Sequence, residues 1–98
     1  MYARVNRFQD RPEAIDDAER LVVDKILPQL QTVPGFAGVL SLVDRTSGES
    51  LGITFWETEE AMRASEAEAS RLRGDISDGA GSEIRTVDRY EVSLRVGL

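Results

Sequence analysis

Apolar residues at Ile15, Ala18, Val22, Ile26, Leu30 and Val33 recur at steps of three and four, and this stripe constrains the fold more than any other feature. It predicts an amphipathic helix, widened by Leu21, Val23 and Leu27, that must bury one face. Asp10-Arg11-Pro12-Glu13 marks its start, with Asp10 as the expected cap, Pro12 in the first turn and Glu13 three residues on. Pro28 lies inside the stripe. It predicts a kink in the last turn or an end to regular helix near Leu27, because proline lacks an N–H and crowds the carbonyl four residues back.

The segments around this helix have strand character. Tyr2 to Phe8 reads as a short strand. Pro34-Gly35 breaks the helix before Phe36–Asp44, and Thr46-Ser47-Gly48-Glu49 turns that strand back into Leu51–Glu57 as a hairpin. Thr58 is placed to cap a second helix, with Glu59 and Glu60 at its positive end and a mostly small buried side of Ala61, Met62, Ser65, Ala69 and Leu72. Gly74 to Ser82 reads as a flexible connection, and Glu83 to Val96 as the last strand with a bulge near Asp88.

The order β-α-β-β-α-β is the ferredoxin-like arrangement, an α+β fold with two helices on one face of a four-stranded antiparallel sheet. The second strand is apolar on both sides, with Phe36, Leu40 and Leu42 alternating with Ala37, Val39 and Val43. A sheet face left open to water would alternate more cleanly. A homodimer in which two sheets face each other is therefore expected.

With 98 residues, the chain is expected to form a single domain over residues 1–98. No apolar run approaches a membrane span, and the N-terminus lacks a signal-peptide core, so a cytoplasmic protein is expected. Cys and His are both absent, which removes thiolate chemistry, the commonest metal ligands and the commonest general base. The net charge of −6 argues against a nucleic-acid partner. Neither a metal nor a cofactor is expected.

Function is read mainly from two side chains. Trp56, the only Trp, closes Leu51-Gly52-Ile53-Thr54-Phe55-Trp56 where strand hands over to helix, and Asn6 on the first strand is its candidate partner. Each has an ordinary alternative: Trp56 as a core or interface aromatic, Asn6 as the partner of a backbone group. Arg4 and Arg7 have the alternative of pairing with carboxylates.

Two motifs, Val33-Pro34-Gly35-Phe36-Ala37-Gly38 and Phe55-Trp56-Glu57-Thr58-Glu59-Glu60-Ala61-Met62, together with the element order, resemble antibiotic-biosynthesis-monooxygenase-like domains of the dimeric α/β-barrel superfamily over roughly Tyr2 to Val96. The resemblance implies quinone-forming oxygenases or haem-degrading monooxygenases. In the haem-degrading branch an Asn on the first strand and a Trp at the end of the third match Asn6 and Trp56. The His that branch carries on the second helix has no counterpart here.

If Asn6 and Trp56 both face the helices, they line one pocket, with Arg4, Phe8, Thr54, Met62, Ser65 and Tyr90 as expected substrate contacts. The implied chemistry is cofactor-independent. A small aromatic phenol or quinol binds against Trp56, its deprotonated form reduces O₂, and Asn6 donates to the developing oxyanion. Arg4 or Tyr90 favours the phenolate. The alternative is a non-catalytic dimeric barrel that binds a small molecule or serves as a structural module.

Overall fold

The central strand, β1 (Tyr2–Gln9), pairs antiparallel on one side with β3 (Glu49–Trp56) and on the other with β4 (Glu83–Glu91) in the computed structural model, which describes Met1 to Leu98. β2 (Phe36–Val43) flanks β3, so the four-stranded sheet runs β2-β3-β1-β4. The expected ferredoxin-like fold is the one found. Directly opposed residues share a face, and the pairs Arg4↔Thr54, Asn6↔Gly52 and Phe8↔Ser50 turn toward the helices. The other face carries Val5, Ile53 and Leu40 in one row and Arg7, Leu51 and Leu42 in the next.

The first helix differs from expectation at both ends. Asp10 does not cap it. Arg11 holds the cap position without a side-chain bond, and a 3-10 turn over Pro12–Ala14 leads into α1 (Ile15–Leu21). Helix also continues past Pro28. A π-helical segment, Val22–Ile26, is followed by α2 (Leu27–Leu30), and the Leu27 N–H reaches back to the Val22 carbonyl. The wider π turn just before Pro28 accommodates the missing N–H and the ring, so the chain stays helical and Leu30 remains in the core.

Thr58 caps as expected, its hydroxyl accepting from the Ala61 N–H at 3.0 Å, at the start of α3 (Glu59–Ala64). α4 (Glu66–Ala80) then runs through most of the segment expected to be a flexible connection. Tertiary packing overrides the weak helix propensity of Gly74 and Gly79. Ile76 packs against the Ile26, Leu30 and Leu72 cluster. Gly79 lies so close to α1 that a Cβ there would sit 2.9 Å from Leu21 Cδ2. The helix closes at Gly81, whose φ of 70° is the left-handed conformation of a C-terminal cap.

β4 is also shorter than expected. It ends at Glu91, and Leu94, Val96 and Leu98 are exposed. Its bulge falls at Arg85, where the register slips between Arg7↔Thr86 and Phe8↔Ile84, a few residues before the expected position near Asp88. No helix is long and apolar enough to cross a membrane.

Candidate functional site

Between the helix-facing side of the sheet and the helical layer lies a cavity of about 420 Å³, within the range typical of small-molecule sites. Its walls come from three sources. Helical residues such as Ile15, Val22, Ile26, Leu30 and Leu72 supply an apolar side. Arg4, Asn6, Phe8, Asp10, Ser50, Gly52 and Thr54 supply the sheet floor, and Arg73 enters from α4. Among the lining residues Val23, Val39 and Ser41 are exposed, so the cavity opens between the first helix and the edge strand β2.

Asn6 is buried, and its carboxamide is held from two sides. Nδ2 donates to the Gly52 carbonyl at 2.8 Å, and Oδ1 accepts from Arg73 Nη1 at 3.2 Å. The second Nδ2 hydrogen is left for a ligand.

Arg4 is 1% exposed, an unusual burial for a guanidinium. Nη2 donates to the Met62 carbonyl at 2.7 Å and to Ser65 Oγ at 3.0 Å, and it pairs with Glu66 at 2.9 Å. Nε and Nη1 are buried with no partner. Donors buried in this way cost on the order of 1–3 kcal/mol each unless an acceptor arrives. Arg7 pairs with Glu49 and faces away from the cavity.

Trp56 requires a correction. It lies on the expected face but is completely buried and does not line the cavity. The indole packs edge-on against Phe36 with centroids 5.7 Å apart, and the Arg4 guanidinium covers its ring at 5.4 Å. Arg4 and the neighbouring Thr54 thus stand between the indole and the hollow. Its N–H donates to Thr54 Oγ1 at 3.0 Å, which leaves the Thr54 hydroxyl hydrogen free to turn toward a ligand.

Met62 and Ser65 are buried against Arg4 and do not reach the cavity, because Arg4 occupies the space between them and it. Tyr90 pairs with Ala3 on the opposite face and is 56% exposed, since strand alternation points it away from Arg4. Arg4, Asn6, Phe8 and Thr54 do line the cavity.

Sequence reasoning missed Asp10 and Arg73. Asp10 is buried at the cavity wall, where Ser50 Oγ donates to it at 3.0 Å and Ser82 Oγ donates to its other oxygen. A signal for it existed: Asp10 continues the even-numbered run Arg4, Asn6, Phe8 along one strand face. Arg73 gave no signal: it falls at the end of the expected helix, and nothing in the sequence brings it to Asn6 on the first strand.

Glu66 joins this floor to the surface. Its carboxylate accepts from Arg89 Nη2 at 2.7 Å and pairs with Arg4. Hydrogen bonding from Arg89, with a smaller contribution from Arg4, holds its pKa down from 4.5 to about 2 despite partial burial. A depressed carboxylate pKa stabilises the fold above the unfolded-state value, and that stability is lost as pH falls from about 4.5 toward about 2. Glu66→Gln is expected to flatten this acid-side decline, as followed by urea midpoints across that window. An unchanged profile would remove Glu66 from the account.

Comparison with known proteins agrees with this architecture. A family model described as antibiotic biosynthesis monooxygenase matches residues 1–72. The uncharacterized protein Rv2557 of Mycobacterium tuberculosis is 36% identical over 93 residues, which is 95% of this chain but 41% of the relative. The chain thus spans about two-fifths of the length of the curated relatives it matches.

Solved structures with the same fold include the haem degrader MhuD of Mycobacterium tuberculosis with two haems in its active site. Its TM-score is 0.72 at 21% identity, with 99% of this chain and 100% of that chain covered. The monooxygenase ActVA-Orf6 of Streptomyces coelicolor, in complex with nanaomycin D, gives 0.71 at 18% identity, covering 99% and 89%. SnoaB, a cofactor-independent oxygenase of Streptomyces nogalater, gives 0.65 at 17% identity, covering 99% and 97%.

Proposed function

This chain belongs to the antibiotic biosynthesis monooxygenase family, and from that premise we propose that its cavity binds a small aromatic phenol or quinol and oxidises it with O₂ without a cofactor. The observation that carries the reading is Arg4: a buried guanidinium at the cavity floor with two nitrogens lacking any acceptor. A phenolate oxygen supplies one once the Arg4 side chain turns this buried edge toward the hollow. Arg4 lowers the substrate's pKa by charge and hydrogen bonding, which matters in a chain with no His to act as base.

The bound anion gives an electron to O₂, and the radical pair combines to a hydroperoxide on the ring carbon. Loss of water from the hydroperoxide leaves a carbonyl. For an anthrone the balance is one CH₂ plus O₂ giving one C=O plus H₂O, with all electrons from the substrate. The free N–H of Asn6 and the Thr54 hydroxyl stabilise the charge that develops on oxygen. ActVA-Orf6 and SnoaB support the reading as relatives in fold.

MhuD raises haem as the other ligand of this fold. The residues do not fit it, because no His, Cys, Met or Tyr lines the cavity to ligate iron. Oxygen uptake with a panel of dihydroxynaphthalenes and anthrones tests the proposal. Consumption above buffer that falls about tenfold or more in Asn6→Ala supports it. Uptake no faster than buffer across the panel rejects it. Saturable binding without uptake would favour the second reading, a small-molecule-binding module, which the sealed position of Trp56 also favours.

The same proposal includes a homodimer. Leu40 is 38% and Leu42 49% exposed on the sheet face away from the helices, beside Val5, Ile53 and Leu51. A second sheet covers such a row. Sedimentation at micromolar concentration is expected to give a dimer, and Leu42→Lys to shift it toward monomer. A monomeric wild type would reject this part.

A further inference from the structure

The end of the cavity where Arg4 and Arg73 meet gathers more guanidinium groups than carboxylates, whereas Asp10 and Glu19 line other parts of the wall. Arg4 and Arg89 share the one carboxylate of Glu66. Arg73, half-buried on α4 and lining the cavity, pairs with no carboxylate and bonds only to the neutral Asn6 oxygen. Three guanidinium groups thus gather around a single acid, in a chain whose net charge is −6. Burial, and then the charge of Arg4, hold the Arg73 pKa below its ordinary value, as expected for a cation lacking its counter-ion. The unpartnered Nε and Nη1 of Arg4 lie in the same group.

We propose that the ligand is an aromatic carboxylate, its acid group paired with Arg73 beside Arg4 and its ring system lying along the apolar helical wall. The proposal rests on reading the cavity as the ligand site and adds the ligand's charge.

A carboxylic acid is ionised throughout the neutral range, with a pKa of roughly 4, whereas a phenol near 10 ionises only with help. A permanent anion matches the local cation excess around Arg4 and Arg73. The two oxygens of a carboxylate can also accept from more than one guanidinium. Half-buried Glu19 lines the cavity beside Ser41, and Asp10, held by Ser50 and Ser82, is its buried acid. Both repel an acid group, so they turn the carboxylate toward Arg73 and give the ligand one orientation.

Calorimetric titration of the wild-type protein with anthraquinone-2-carboxylate and with its methyl ester tests this. The acid is expected to bind about tenfold tighter or more, the range of a charge-assisted hydrogen bond. In Arg73→Gln, folded by circular dichroism, the two probes should bind about equally, and Arg73→Lys should restore most of the preference. An ester that binds as tightly as the acid overturns the proposal, as does a preference unchanged in Arg73→Gln or the failure of both probes to bind. The titration needs no turnover. Preference for the acid with no oxygen uptake leaves this inference standing and rejects the oxygenase reading, and turnover confined to uncharged phenols does the reverse.

Discussion

Arg4→Met is expected to slow oxygen uptake about a hundredfold while lowering stability by only about 1–3 kcal/mol. Methionine retains much of the apolar length that covers Trp56, and it removes the unpartnered donors together with those that bond Met62, Ser65 and Glu66. Glu66 is not stranded by the change, because Arg89 still holds it and its side chain is 35% exposed. The stability cost therefore stays below the ~3–5 kcal/mol of breaking a fully buried pair. The rate cost is larger because a donor aimed at developing charge counts most in the transition state. Arg4→Lys separates charge from donor geometry, since a lysine cannot present the same planar set of N–H groups. Oxygen-electrode rates and urea melts on the same preparations check the split. A variant that loses stability and keeps its rate would make Arg4 a purely structural residue.

Trp56→Ala is expected to destabilise the fold by about 3–5 kcal/mol, the usual cost of removing a large buried aromatic. Nothing of the indole reaches solvent. Its loss empties the space between Phe36 and the Arg4 guanidinium and leaves Thr54 Oγ1 without its donor. For a chain this short the shift in melting temperature is about 15–30 °C. Trp56→Phe keeps the contact with Phe36 and loses the N–H, so it should cost about 1–2 kcal/mol. At a temperature where Trp56→Phe is folded, its oxygen uptake should stay within about threefold of wild type, because the indole is outside the cavity. A folded Trp56→Phe with a rate tens of times lower would return the indole to the chemistry.

The architecture was legible from periodicity. Steps of three and four at Ile15 to Val33 and alternation through Tyr2–Phe8 and Leu51–Trp56 require particular faces to be buried, and only a few topologies bury them in that order. Local rules failed where a distant contact outweighed them. Pro28 stays within helix because the preceding turn widens, and Gly74 and Gly79 stay within α4 because Ile76 and Leu21 pack there. Asp10 left its expected cap for Ser50 and Ser82, a partnership that spans most of the chain.

The sequence by itself determined which side chains of one strand share a face, because alternation is a property of the extended backbone: Arg4, Asn6 and Phe8 point one way along β1, and Thr54 and Trp56 one way along β3. Tertiary structure alone decided which of those residues meet open space. Arg4 settled over the Trp56 ring and closed it off, while Arg73, reaching from α4, came to rest on Asn6. Depth beneath a surface depends on how separate elements pack against one another, and no spacing along a strand encodes that distance.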